Sequence, residues 1–382
     1  MYTSVSNDNK KLPSITDTSL FVRNLKVSNH VISESDYTKV YNELENKPIQ
    51  RDTLGEITDY NEAVEMIGGC LEWQDGPDSY LTKIITRNGD VVDVGDYLGF
   101  IAYYPEIDVI LFEGGHTSDV AYSLRTGEGR EIVGNPDTYY VSDNKEFRIS
   151  GYFPGQECYT YYVQQKDDES YRNLFEINSY LFPNSDICYI REGFWLLDNE
   201  FYYQMVNSMD FNKVNYFKIT IEPYKRMSVP SKEYLIEEGR AGNFSLGFNI
   251  DELKSKYYMN YDYRYREEGE QEDLYIIPSL GIFFSSGYNE IWIIDNRFST
   301  KKMIGTGSTI KELKQAYPDV RLFYTYISQM FYAESAVLGK VQFIFDVRDF
   351  KNKNKDLMQG DSVVLDESDF KLDTQIDRIR IY

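Results

Sequence analysis

Cysteine and histidine are scarce in this chain of 382 residues, which holds three of the first and two of the second. Cys70, Cys158 and Cys188 stand far apart with no C-x-x-C or C-x-C spacing, so no metal or dithiol redox motif is readable. An odd count fits a reducing compartment, and free Cys behaves as a small hydrophobe, so buried free thiols are expected. One disulfide plus a free thiol is the open alternative. Any Ser-His-Asp or Cys-His machinery would have to use His30 or His116. His116 sits in the Gly-rich turn "EGGHTSD" and His30 at a strand edge, and both read as ordinary polar positions. No set of three or four zinc ligands at useful spacing is visible. Asp90, Asp93 and Asp96 in "NGDVVDVGD" lack the alternating order of a calcium loop and read as turn acids. No cofactor and no enzyme activity are expected.

Positive charge is also in deficit: 40 Lys and Arg stand against 62 Asp and Glu, a net charge of −22. Such a chain repels nucleic acid phosphates and anionic membrane surfaces, and it steers in a basic protein. No apolar run approaches the roughly 20 residues of a membrane-spanning helix. The N-terminal stretch has no apolar core of a signal peptide. The expected location is cytoplasmic if Met1 is the native start, and a cell-surface lipoprotein if Met1 replaces a removed signal.

Aromatic residues are abundant, with 35 Tyr and 22 Phe. With 42% hydrophobic residues the chain is globular, and its aromatics favour strands, where they pack on a pleated surface. The length suggests two or three domains. Residues 1–18 are polar and read as a flexible arm. "SESDYTKVYNELENK" reads as a short helix with Tyr37, Val40, Tyr41 and Leu44 on one face, and "DYNEAVEMIGGCLEW" as another, stopped at Gly68-Gly69. From about Tyr80 short strands follow at roughly 8–12-residue spacing with turn residues between them. The fold class expected is mainly β with α+β. An N-terminal antiparallel meander domain (19–222) is followed by a linker (223–242) and a tandem helix-plus-antiparallel-sheet domain (243–382).

Within the meander, "VAYSLRTGEGREIVGNPDTYYVSDNKEFRIS" resembles a blade of the beta-propeller type, and "VSDNKEF" approximates the Ser-Pro-Asp-Gly-Lys turn of such blades. The resemblance spans Asp93 to Glu222. That is too little chain for four blades, so a partial propeller-like meander is implied.

Two later stretches match at an offset of 60: "GFNIDELKSKYYM" from Gly247 and "GSTIKELKQAYPD" from Gly307. Gly, Ile, Glu, Leu, Lys and Tyr coincide, as a duplicated unit requires. Asn249 and Thr309 are N-cap residues, and Glu252 and Glu312 stand three on, as in a capping box. Ile, Leu and Tyr form the apolar stripe of a two-turn helix. Gly305 and Gly307 are followed by no further Gly and no Lys-Ser/Thr pair, so a helix start is expected there and not a phosphate loop. Strands follow each helix, giving units of about 243–300 and 301–382.

This helix-then-sheet pattern, with its final "IDRIRI" strand, resembles the repeat of the beta-lactamase inhibitor protein family and related lipoprotein domains. The resemblance covers about Gly242 to Tyr382. It implies one curved sheet whose concave face grips a protein. The implied contact residues are Tyr275, Phe283, Trp292, Phe323, Tyr324, Tyr326, Phe343 and Phe345. The family's cysteine pairs are missing here, because no cysteine lies past Cys188. The acidic run that includes Glu267, Glu268 and Glu270 lies at the rim of this face and would meet a basic partner. The function expected is non-catalytic protein binding, inhibitor- or immunity-like, with Tyr and Trp as anchors. The alternatives are a surface lipoprotein domain binding glycan or peptide, and an acid-pair glycoside hydrolase.

Overall fold

The computed structural model describes residues 18–44, 54–74, 79–155, 158–181, 187–207, 212–226, 228–265, 271–352, 355–358 and 360–382. All of the expected arm but Thr18 lies outside them. The fold is mainly β, and its sheets are antiparallel except where Leu235–Glu237 pairs in parallel with Ser299–Thr300. No helix among the described residues is long and apolar enough to cross a membrane.

The chain opens on a hairpin of strands Thr18–Val22 and Leu25–Ile32. Its two turn residues, Arg23 and Asn24, both have positive φ, as a two-residue hairpin turn that matches strand twist requires. This hairpin joins strands from far along the chain. The sheet runs Thr18–Val22, Leu25–Ile32, Val214–Pro223, Glu200–Asn207, Ile187–Leu197. One face buries Leu20, Phe201, Tyr203, Phe217 and Ile219 against Ile149, Tyr161, Val163 and Phe175 of a four-stranded sheet built from residues 135–176. The other face carries helix Glu34–Leu44, capped by Ser33, whose Oγ accepts from the Asp36 amide at 3.0 Å. Tyr37 and Leu44 pack there on Phe194 and Tyr202, with Val40 and Tyr41 beside them. Helix Tyr60–Ile67, capped by Asp59 and ended by left-handed Gly68, covers two three-stranded sheets. Both helices sit where their apolar periodicity predicts.

The C-terminal half is dominated by a nine-stranded sheet. Its order is Asn260–Tyr265, Gln271–Ile277, Ile282–Ser285, Glu290–Ile293, Ile376–Ile381, Val341–Phe345, Met330–Glu334, Arg321–Thr325, Ser362–Leu365. Helices Ile250–Lys256 and Ile310–Ala316 pack on one face through Ile250, Leu253, Ile310, Leu313 and Tyr317. Asn249 Oδ1 accepts from the amides of Asp251 and Glu252 at 2.9 and 3.1 Å. Thr309 and Glu312 form a complete capping box. Gly247 and Gly307, two residues before each cap, have φ of +78° and +79°, a region a side chain would strain.

The segment 223–242, expected as a linker, contributes described residues to the packed structure. Ile236 and Ala241 enter the C-terminal core, because strand Leu235–Glu237 pairs with Arg240–Ala241 and Ser299–Thr300. Arg226 donates to the carbonyls of Asn296, Met303 and Thr306 and to Ser308 Oγ.

Between the halves lies a cluster of charges. Arg172, 5% exposed at its side chain, donates to both oxygens of Asp349, at 3.0 and 2.6 Å, and to Asp167 at 3.0 Å. Arg348 pairs with Asp346 and donates to the Tyr171 carbonyl at 3.0 Å. Burial pushes the Asp346 and Asp167 carboxyls up. Arg348 and Arg172 outweigh that and hold both below the usual carboxylate range. Acids depressed in this way stabilise the fold above about pH 3.9, the unfolded value, and that share is lost as pH falls through their folded values. Removing Arg172 strands buried carboxylates. Arg172→Ala is therefore expected to cost about 3 kcal/mol or more at neutral pH. Urea unfolding at pH 7 and pH 3 checks this: the gap between wild type and variant narrows in acid, and a gap independent of pH refutes the assignment.

Candidate functional site

The expected contact residues divide by the face their strand position gives them. Phe343 and Phe345 point to the helix side and are core residues, and Tyr324 and Tyr275 pack against that core from its margin. Trp292 and Phe283 point to the opposite face but are only 3% and 7% exposed. Their rings stack at 5.5 Å among Leu274, Ile276 and Ile344, with Tyr180 of the N-terminal half against them. The expectation that Trp292, Phe283 and Phe343 form an open gripping surface is therefore corrected. A large aromatic ring buries most where two layers meet, and here the N-terminal half supplies the second layer on the far side of the sheet. Phe323 is half-buried and stacks on Tyr332, while Tyr326, 47% exposed, lies in the turn after its strand. Glu267, Glu268 and Glu270 lie outside the described residues.

Beside Trp292 a polar row crosses the sheet. Trp292 Nε1 donates to Glu290 at 2.9 Å, and Arg380 bonds Glu290 and, at 3.0 Å, Gln342. Gln342 and Tyr382 both donate to Glu334, at 2.7 and 2.8 Å. Each side chain of the row makes at least one hydrogen bond to another member of it, which is how a sheet tolerates charge inside.

Exposed aromatics occur instead at the sheet's outer edge. Strand Asn260–Tyr265 is the outermost, and Tyr261 and Tyr263 on it are 55% and 43% exposed. Tyr261 faces Tyr275 across the pair, ring to ring at 5.6 Å, and donates to Asp273 at 2.8 Å. This edge puts tyrosine rings and carboxylates on one face. The composition of "YMNYDYRYREEGEQED" carried that signal; the spacing of the later aromatics did not.

A second feature lies in the N-terminal half, where sequence reasoning placed nothing. Strands Asn135–Val141, Thr160–Asp167 and Ile187–Leu197, with the residues leading into them, border a cavity of about 220 Å³. Tyr140, Tyr159, Tyr161 and Tyr189 line it, with Asn135 and Asp137. The phenol of Tyr104 donates to Asp137 at 3.0 Å, and Asn135 Oδ1 accepts from the Asp137 amide at 3.0 Å. Asn135 also donates to Asp119, whose carboxyl burial pushes up. Burial and then the charges of Asp119 and Asp137 raise the Tyr159 phenol, which keeps it neutral. Tyr161 Oη accepts from the Ile190 amide at 3.1 Å.

The expectation of three free thiols is corrected at this same place. Cys158 and Cys188 form a disulfide, with Cα atoms 4.4 Å apart, and Cys70 is buried and free. The pair is 30 positions apart in sequence, and Thr160–Asp167 and Ile187–Leu197 lie in different sheets, so only the packing of those sheets brings the cysteines together. The odd count is thus one bridge plus one core thiol, and it gives no support to a reducing compartment. Tyr159 and Tyr189 directly follow the bridged cysteines, and the Tyr159 amide donates to the Cys188 carbonyl at 3.0 Å.

Among the described residues no group of three or more His, Cys, Asp and Glu could hold a metal ion. His116 lies in a short turn with positive φ, and His30 lies in strand Leu25–Ile32 opposite Lys218.

No family model matches this chain, and no curated protein matches it either. Among solved structures it is similar to the beta-propeller domain of Myceliophteria thermophila Cps50 (Swd1), at 12% identity over 75% of each chain. The TM-score is 0.17, too low for the likeness to bear on the fold.

The Cys158–Cys188 bridge closes a loop that costs the unfolded chain about 3–4 kcal/mol of entropy on the chain-entropy model. The double variant Cys158→Ser, Cys188→Ser is expected to lose stability of that order in urea unfolding. Wild type in reductant should lose the same amount, and an unchanged midpoint in both cases refutes the bridge's structural role.

Proposed function

We propose that this chain is a non-catalytic binding protein for a basic protein partner, which it meets at the outer edge of the nine-stranded sheet. The observation that carries this reading is the exposure of Tyr261 and Tyr263 beside Asp273 on an edge strand. Tyrosine gives large contact area at low entropy cost and keeps a polar tip for hydrogen bonding. The connection to the neighbouring strand contains Glu267, Glu268 and Glu270 in sequence, and the chain as a whole is at −22. Both features favour a cationic partner and give its association rate a strong salt dependence.

The resemblance to the beta-lactamase inhibitor protein family supports the binding class, and the matched stretches at Gly247 and Gly307 are read as two copies of one helix-plus-sheet unit. The contact surface shifts from the concave face to the edge, because Trp292 and Phe283 are covered. An inhibitor- or immunity-like role follows if the partner is itself an active protein.

The double variant Tyr261→Ser, Tyr263→Ser keeps the core intact and is expected to weaken partner binding by about 10-fold or more, since exposed anchor tyrosines carry a large share of such interfaces. Capture from source lysate by wild type and variant, washed at low and high salt, gives the comparison. A basic protein retained by wild type, released by salt and lost by the variant is the expected result. Equal retention by both places the interface elsewhere.

A further inference from the structure

We propose that the tyrosine-lined cavity of the N-terminal half is a binding site for an organic cation, a protonated or quaternary ammonium group. This site is separate from the sheet edge and does not depend on the reading given to that edge.

The chemistry of the wall selects the ligand. Tyr140, Tyr159, Tyr161 and Tyr189 line the cavity from three strands and their approaches, and the face of a phenol ring carries the negative end of its quadrupole. An ammonium group seated against the face of such a ring is attracted to it. Asp137 adds its carboxylate to the lining, and Asp119 stands behind Asn135. Among the described residues the lining contains no Lys, Arg or His, so an anion would find no counter-charge there and would face the Asp137 carboxylate. The volume of about 220 Å³ falls below the roughly 300–1,000 Å³ of sites for drug-sized ligands. It fits one compact head group with a short tail.

The cavity is also held in shape before any ligand arrives. Tyr104 and Asn135 fix Asp137. The Cys158–Cys188 bridge ties Tyr159, just before strand Thr160–Asp167, to Tyr189 at the start of strand Ile187–Leu197. Tyr159 stacks near Tyr161 with centroids 5.9 Å apart. A wall ordered in advance leaves less entropy to lose on binding. A partner's lysine side chain and a free small amine share this chemistry, and the probes below separate them from neutral ligands.

Isothermal titration of the full chain uses three probes: choline, its uncharged carbon isostere dimethylbutanol, and glucose. Choline should bind, with the isostere weaker by about 10-fold or more, the scale of a desolvated cation–π interaction. Asp137→Asn and Tyr189→Leu should each weaken choline about 5-fold, whereas Tyr189→Phe, which keeps the ring face, should retain it. Thermal unfolding of each variant confirms that the fold persists. A lysine-containing peptide that competes with choline would identify the source as a protein side chain; competition by free amines alone would identify a small molecule. Binding of the isostere as tight as choline, a preference for glucose, or no uptake of choline by wild type overturns the proposal.

Discussion

Arg172 has almost no contact with water, and a guanidinium in that position must find its counter-charges within the protein. It finds Asp167 on its own hairpin and Asp349 and Asp346 on the C-terminal half. Planar donor geometry lets one side chain serve carboxylates from two directions. The relative placement of the halves is tied to this geometry, because any slip would leave a buried charge without its partner. The rest of the junction follows the same rule. Arg23 pairs with Asp377, Arg297 pairs with Asp295 beneath the Phe21 ring, and Arg226 saturates three carbonyls. In a chain so rich in acids, the few arginines are spent where burial makes their pairing most consequential.

That junction decides which aromatic residues are available for binding. With the N-terminal half set against the far face of the nine-stranded sheet, Trp292 and Phe283 become interior residues and the polar row around Glu290 and Arg380 is closed in. Helices already cover the other face. What the sheet leaves open is its margin, where Tyr261 and Tyr263 stand beside Asp273. The same packing of strands from distant parts of the chain gathers four tyrosines into the cavity near Asp137. Both candidate sites are by-products of where layers end, at an edge and at a gap between strands.

Much of the local structure was readable from residue order. The N-caps Asp59, Asn249 and Thr309, the left-handed Gly68, and the stripes of Tyr37 with Leu44 and Ile310 with Leu313 all act within a few residues of themselves. Such signals survive in sequence because their partners are three or four positions away. The N-cap at Thr309 also settles that "GSTIKELKQAYPD" begins a helix. Strand alternation was not enough to sort the later aromatics: Trp292 and Phe343, expected on one contact face, lie on opposite sides of one sheet.

Composition and short-range pattern by themselves determined a mainly β chain, its short capped helices, its acidity and its wealth of tyrosine. Tertiary structure alone decided that strand Leu25–Ile32 pairs with strand Val214–Pro223, that Cys158 meets Cys188, and that Ile236 and Ala241 enter the C-terminal core. It alone decided that Trp292 is covered while Tyr261 is open, and that Tyr140, Tyr159, Tyr161 and Tyr189 line one cavity. The physical reason is the same in each case. A local signal is satisfied by neighbours in sequence, whereas burial depends on which layer arrives from elsewhere, and a single chain read in order does not carry that information.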